Sequence, residues 1–172
     1  MGMDVYGKNP TSDKGSYFRN NVWWWHPLWD YCLNLHGDIC DKVEYGHSND
    51  GDGLDADDAR SLGLRLMMDI ERGTTADYEA NRNEYLASLP LTECQWCEGT
   101  GIRTDAVGQE MGMPTKELPE AEAIIYGRTH GTCNACQGAG RQQAWETQYP
   151  FSVENVQEFA IFLLDSGGFE IC

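Results

Sequence analysis

Apolar positions along the chain fall into a few periodic segments separated by glycine-rich and proline-marked breaks. Gly2 to Gly7 alternates and predicts a short first strand, followed by a polar loop from Lys8 to Gly15 around Pro10. An aromatic run from Tyr17 to Tyr31 comes next, with Trp23, Trp24, Trp25 and Trp29 inside it. Pro27 suits the first turn of a helix extending to about Leu35, because proline lacks only an N–H that is unpaired at that position anyway. Leu28, Tyr31, Cys32 and Leu35 then share one face, and Trp29 points elsewhere with one or two of Trp23 to Trp25. The tryptophans read as core, with a partner-binding or base-stacking surface as their other use.

The sequence Asn49-Asp50-Gly51-Asp52-Gly53 predicts a turn, and Asp55 caps a helix from about Ala56 to Arg72 that carries Asp57 and Asp58 against the positive end of its dipole. Ala59, Leu62, Leu66 and Ile70 form its apolar face and Gly73 stops it. Thr75 caps a second helix through about Ser88, with Tyr78, Tyr85 and Leu89 inward and Pro90 at its close, so the pair predicts an antiparallel hairpin. Gln142 to Tyr149 reads as a connecting strand. Ser152 caps a last helix, Val153 to about Asp165, with Val156, Phe159, Ala160, Leu163 and Leu164 inward; Gly167-Gly168 ends it before a terminal strand, Phe169 to Cys172.

One repeat breaks this periodic pattern. Cys94-Gln-Trp-Cys97-Glu-Gly99-Thr-Gly101 and Cys133-Asn-Ala-Cys136-Gln-Gly138-Ala-Gly140 both read CxxCxGxG. Two residues between cysteines let both sulfurs of a turn reach one ion, and two such turns supply the four thiolates of a closed tetrahedral zinc site. Cys94, Cys97, Cys133 and Cys136 are therefore the candidate ligands of one structural Zn2+. Redox use of a CxxC pair is the alternative, but such motifs come singly in a βαβ context. The 35 residues between Cys97 and Cys133 contain Met113-Pro114 and Leu118-Pro119 and read as a long loop, with helix available from Glu120 to Tyr126. Cys32, His36 and Cys40 share i, i+4, i+8 spacing and are a weaker second metal candidate, interrupted by Gly37.

The paired motif resembles the cysteine-rich zinc domain of DnaJ-type chaperones, which carries four such repeats and two zincs. The resemblance covers the two eight-residue segments. It implies a zinc-stapled pair of hairpins and, as one use, a module that binds peptide segments. The HPD tripeptide through which that family engages its partner ATPase is not present: the one His-Pro, His26-Pro27, is followed by Leu28.

These elements predict an α+β protein: a small helical body with short strands over residues 1–91 and 142–172, and a zinc-stapled β-hairpin or knuckle module over 92–141. Twelve Lys and Arg against 28 Asp and Glu give a formal net charge of −16, which opposes direct binding to nucleic-acid phosphates. Asp50, Asp52, Asp55, Asp57 and Asp58 concentrate that charge and form the candidate partner-binding surface. A calcium loop placed there would put Ala59 where a bidentate Glu is required, so the match fails. No stretch reaches the length of a membrane span, and Met1-Gly2-Met3-Asp4 lacks the basic and apolar regions of an export signal, which predicts a cytoplasmic protein. The functional expectation is an acidic, zinc-stabilised adaptor or regulator with a protein partner, in its sharper form an inhibitor that presents an acidic surface to a basic nucleic-acid-binding complex. A zinc-dependent enzyme is the alternative from another class, without a motif that names a reaction.

Overall fold

The computed structural model describes residues 2–172 and is α+β. Its elements run β1 (Gly2–Gly7), α1 (Asp13–Ser16), β2 (Tyr17–Asn21), α2 (Val22–Cys40), α3 (Ala56–Glu71), α4 (Thr74–Ser88), β3 (Thr92–Glu93), α5 (Ala106–Glu110), α6 (Glu120–Tyr126), β4 (Arg141–Gln142), α7 (Val153–Ser166) and β5 (Phe169–Ile171). The chain divides into two units, Met1–Ala87 with Gln148–Cys172, and Ser88–Thr147.

In the first unit β1 is the middle strand of an antiparallel sheet ordered β2-β1-β5, with Val5 paired to Phe18 on one side and to Ile171 on the other. Strand alternation turns Met3, Val5, Phe18, Phe169 and Ile171 inward, where they are buried among helical side chains. Trp25 and Trp29 stack at 5.7 Å between ring centroids, and Phe159 meets Trp25 edge-on at 5.4 Å. The Trp25 indole N–H donates to the Gly46 carbonyl at 2.7 Å, so its burial leaves no orphaned donor.

The helix containing Pro27 begins five residues earlier than its proline implies. Asn21 is the cap, its side-chain oxygen accepting from the Trp24 N–H at 3.1 Å, and Pro27 lies inside α2. That start changes the inward face to Trp25, Leu28, Trp29 and Cys32, an i, i+3, i+4, i+7 set. Trp29 is therefore core, whereas Leu35 is 44% exposed, the reverse of the expectation for both. Burial of two indoles on this face offsets the roughly 3 kcal/mol that an interior proline costs a helix. α2 also continues past Gly37 to Cys40, bending where His36 adopts φ −132° and ψ 35°.

α3 and α7 follow their sequence signals closely. Asp55 accepts from the Asp58 N–H at 2.9 Å, and Ser152 accepts from the Asn155 N–H at 3.2 Å. The two helices pack on each other, with Gly63 facing Ala160 and Leu163 where a side chain would be crowded. This contact takes the place of the expected α3–α4 hairpin. Thr75 is not a cap but a fully buried residue of α4, its hydroxyl 2.9 Å from that of Tyr31, while Tyr85 faces outward. Burial pushes the Tyr31 phenol up to about 12. Beyond β4, the expected strand from Gln142 to Tyr149 is instead a 3-10 turn over Trp145–Gln148.

In the second unit, β3 pairs antiparallel with β4, Thr92 opposite Gln142 and Glu93 opposite Arg141. The segment between the knuckles is folded rather than looped. The Arg103 N–H donates to the Thr132 carbonyl at 3.0 Å, Thr132 N–H to Met113 at 3.0 Å, and Leu118 N–H to Thr129 at 2.9 Å, so residues 129–132, which follow α6, run back along residues 113–118 and Arg103. The Glu120 to Tyr126 helix forms as predicted. Among the described residues, no helix is long and apolar enough to cross a membrane.

Candidate metal centre

Each knuckle builds the same turn. The Cys97 N–H donates to the Cys94 carbonyl at 3.3 Å and the Gly99 N–H to the same carbonyl at 3.4 Å; in the second copy the Gly138 N–H donates to the Cys133 carbonyl at 3.2 Å. The chain then reverses through left-handed residues, Glu98 and Gly99 in one copy, Gln137 and Gly138 in the other. Closing the turn, the Gly101 N–H donates to the Cys97 sulfur at 3.3 Å and the Gly140 N–H to the Cys136 sulfur at 3.2 Å. Such N–H groups stabilise a thiolate and aim it.

The second glycine of each repeat is required twice over. Gly101 and Gly140 both have φ of 74°, a conformation that penalises any Cβ. A Cβ on Gly101 would overlap the Gly138 carbonyl oxygen, and one on Gly140 the Gly99 carbonyl oxygen. The two turns therefore lean on each other about a local pseudo-twofold axis, and the four sulfurs converge inside.

All four sulfurs lie within 4.8 Å of one another, with Cys94 to Cys133 at 4.0 Å and Cys97 to Cys136 at 3.7 Å. Exposure of these residues ranges from 0 to 8%. Burial pushes the Cys97 thiol up to about 12 and raises that of Cys136. Burial works against ionisation at Cys133, but the backbone N–H groups of Cys136 and Ala135, together with the neighbouring Cys136 and Cys94 side chains, outweigh it and hold that thiol below the ordinary value. Four buried sulfurs at this spacing are compatible with a metal site. Among the described residues they are the one group of three or more His, Cys, Asp or Glu side chains in ligating range. No family model, curated protein sequence or solved structure matches the chain.

Two arginines that the repeat does not reveal surround the sulfurs. Arg128 donates through Nη2 to the Gly101 carbonyl at 3.1 Å and the Gly138 carbonyl at 2.9 Å, and through Nε to the Gly131 carbonyl at 3.1 Å. One guanidinium thus bridges both knuckles. Arg103 forks onto Asp105 at 2.8 and 3.0 Å, reaches the Asn134 side chain at 3.1 Å, and lies over the Trp96 ring at 4.8 Å. Arg103 sits just after the first knuckle, so its proximity was readable from position; Arg128 lies 27 residues past Gly101 and only the fold brings it there.

The sequence-derived second metal set does not assemble. His36 turns to Asp69, its Nε2 2.7 Å from the carboxylate, and burial holds the Cys32 thiol well above its ordinary value beside Cys40. The acidic residues of the first unit have local work. Asp52 accepts from the Tyr45 and Gly53 N–H groups at 2.9 and 2.8 Å, which holds its carboxyl below the usual range. Asp58 pairs with Lys42 at 2.6 Å, Asp55 caps α3, and Asp50 accepts from the Ser48 hydroxyl. Asp57 and Asp50 are exposed.

Proposed function

We propose that this chain is a zinc-stapled acidic binding protein of the cytoplasm, an adaptor or regulator whose partner is a basic, nucleic-acid-handling protein complex. The observation that carries the structural role of the metal is the composition of the second unit's interior. Apart from the four cysteines, its buried apolar side chains are Met113, Leu118 and Ala144. So small a core does not hold a unit of this length, and such units need a metal or a disulfide framework.

Zinc fits the donor set. Four thiolates at the usual Zn–S length stand about 3.8 Å apart in a tetrahedron, beside the 3.7 and 4.0 Å found here. Four sulfurs leave no ligand position for water or substrate, so the ion supplies folding energy rather than a nucleophile. The paired knuckles support kinship in architecture with the DnaJ-type zinc module. The partner reading rests on charge: −16 formally, and two units more negative once a zinc tetrathiolate forms, with Asp50 and Asp57 held at the surface of the first unit.

The test pairs zinc content with capture. Wild-type protein should carry one zinc per chain, lost in Cys94→Ser and Cys136→Ser together with the fold of the second unit. Tagged protein in host lysate should retain a basic nucleic-acid-binding complex that high salt releases and that Asp50→Asn with Asp57→Asn weakens. Full zinc in either cysteine variant would refute the staple, and capture indifferent to salt would refute the acidic contact.

A further inference from the structure

The two edges of the three-stranded sheet differ. Beyond β5 the chain closes the edge itself: the Gly51 N–H donates to the Ile171 carbonyl at 2.7 Å, Ile171 N–H to Asp52 at 2.8 Å and Phe169 N–H to Leu54 at 3.0 Å. β2, the opposite edge, pairs with β1 alone, and among the described residues no backbone hydrogen bond of residues 18–20 leaves that ladder. An open row of N–H and C=O groups is a template for another strand, and β2 has neither proline nor bulge to refuse one, since its five pairs with β1 run in unbroken register. A cleft of about 280 Å³ opens beside the same strand, lined by Phe18 of β2, Ile161 and Phe162 of α7, and the charged Lys14 and Glu158. Both charges are exposed, and neither has an ion pair among the described residues. They lie toward opposite ends of the edge. The Asn20 side chain donates to that of Asn155 at 2.7 Å, while Asp165 crowds Gly15, so α7 runs back along β2 with Glu158 toward its Asn20 end and Lys14 beyond its Tyr17 end.

We infer that β2 is a dimer edge, to which a second copy of this chain adds its own β2 antiparallel about a twofold axis, joining two three-stranded sheets into one. The twofold reverses the ends of the edge, so Lys14 of each copy meets the partner's Glu158, and the apolar cleft of each copy is covered by the other. Self-complementarity selects the occupant: an unrelated strand would complete the ladder, but a cation and an anion at opposite ends match their own reverse. With −16 on each copy the surfaces repel at large, which confines the contact to this edge, and an edge of five residues makes a weak, concentration-dependent dimer. The dimer goes beyond the basic-partner reading, and neither depends on the other.

The experiment follows sedimentation of zinc-loaded full-length protein from about 10 µM to about 1 mM. Salt is held at about 0.15 M, where charges more than about 8 Å apart are screened. The wild type should pass from monomer to dimer, and hydrogen exchange at residues 18–20 should slow with concentration while that of β5 stays constant. Lys14→Glu and Glu158→Lys should each weaken dimerisation about tenfold, and the double variant, which restores both pairs with their signs exchanged, should recover it. Both positions are exposed, so far-UV circular dichroism should be unchanged in all three variants. A wild type that stays monomeric at the highest concentration, a dimer without added protection of β2, or a double variant no better than either single change overturns the proposal. Protection of β2 only in a complex captured from lysate, with the pure protein monomeric, would give the edge to a strand of another protein and likewise overturn self-pairing.

Discussion

At Arg128 a single side chain holds three carbonyls from three parts of the second unit. Hydrogen bonds from a charged donor contribute about 1.5 to 3 kcal/mol each when their removal leaves buried acceptors unmet. Arg128→Met should therefore keep the stoichiometry of one zinc but destabilise the unit by about 2 kcal/mol or more, read as earlier loss of zinc to a chromogenic chelator during thermal unfolding. An unchanged chelation midpoint would mean that the knuckles hold each other without the arginine. The cysteines were legible from spacing because each CxxCxGxG turn is closed by its own backbone, within eight residues. Arg128 was not, because its acceptors come together only after residues 98–132 have folded. His26 gives a second prediction at this scale. Its Nε2 is buried and finds no hydrogen-bond partner among the described residues, and burial, with the nearby His47, holds its pKa below the ordinary value. The folded state thus binds fewer protons than the unfolded chain, and stability is lost as pH falls below the unfolded value of about 6.5. His26→Gln should flatten the stability curve between neutral pH and the folded pKa; a slope equal to that of the wild type would assign the loss to other groups.

Among the elements, α3 and α7 were readable end to end because caps and apolar periodicity agreed, Asp55 and Ser152 at their starts and glycine beyond their ends. β2 and the start of α2 were hidden in one aromatic run. There the proline offered a helix start, but Asn21 had the stronger claim, since its side chain satisfies an N–H that Pro27 would only omit. The phase error at Trp29 and Leu35 follows directly from that displaced start. The α3–α7 contact was also invisible, because it depends on Gly63, a residue that helical propensity disfavours and that close packing explains. Gly63→Val should destabilise the first unit by about 1 to 3 kcal/mol through overpacking against Ala160 and Leu163, measured by denaturant unfolding. Gly63→Ala should cost less, since its Cβ would stand 3.0 Å from the Ala160 carbonyl oxygen and needs only a small shift. Equal stability of all three proteins would show that the helices separate without penalty.

For the molecule as a whole, the two units are held by different physics. The first buries stacked indoles and phenyl rings under a three-stranded sheet; the second has a sulfur cluster where a core would be. Removing zinc with a strong chelator should therefore abolish one unfolding transition and leave the other near its original temperature, as seen by calorimetry with and without the chelator. A single transition that shifts as a whole would show that the units unfold together. Fold class was legible at this scale from the mixture of strand and helix periods. The folding of the inter-knuckle segment was not, because its pairing of Arg103 with Thr132 and Leu118 with Thr129 is a matter of backbone register that carries no side-chain signature.

The β3–β4 ladder places Thr92 opposite Gln142, so the polypeptide leaves for the knuckles and returns from them at neighbouring points. Antiparallel partners stand about 5 Å apart, a gap that one tight turn spans. The four-cysteine region is therefore topologically a detachable cassette. A lineage could lose it, exchange it or enlarge its inner segment without rethreading β1 and β5, whose pairing joins the first and last strands of the body.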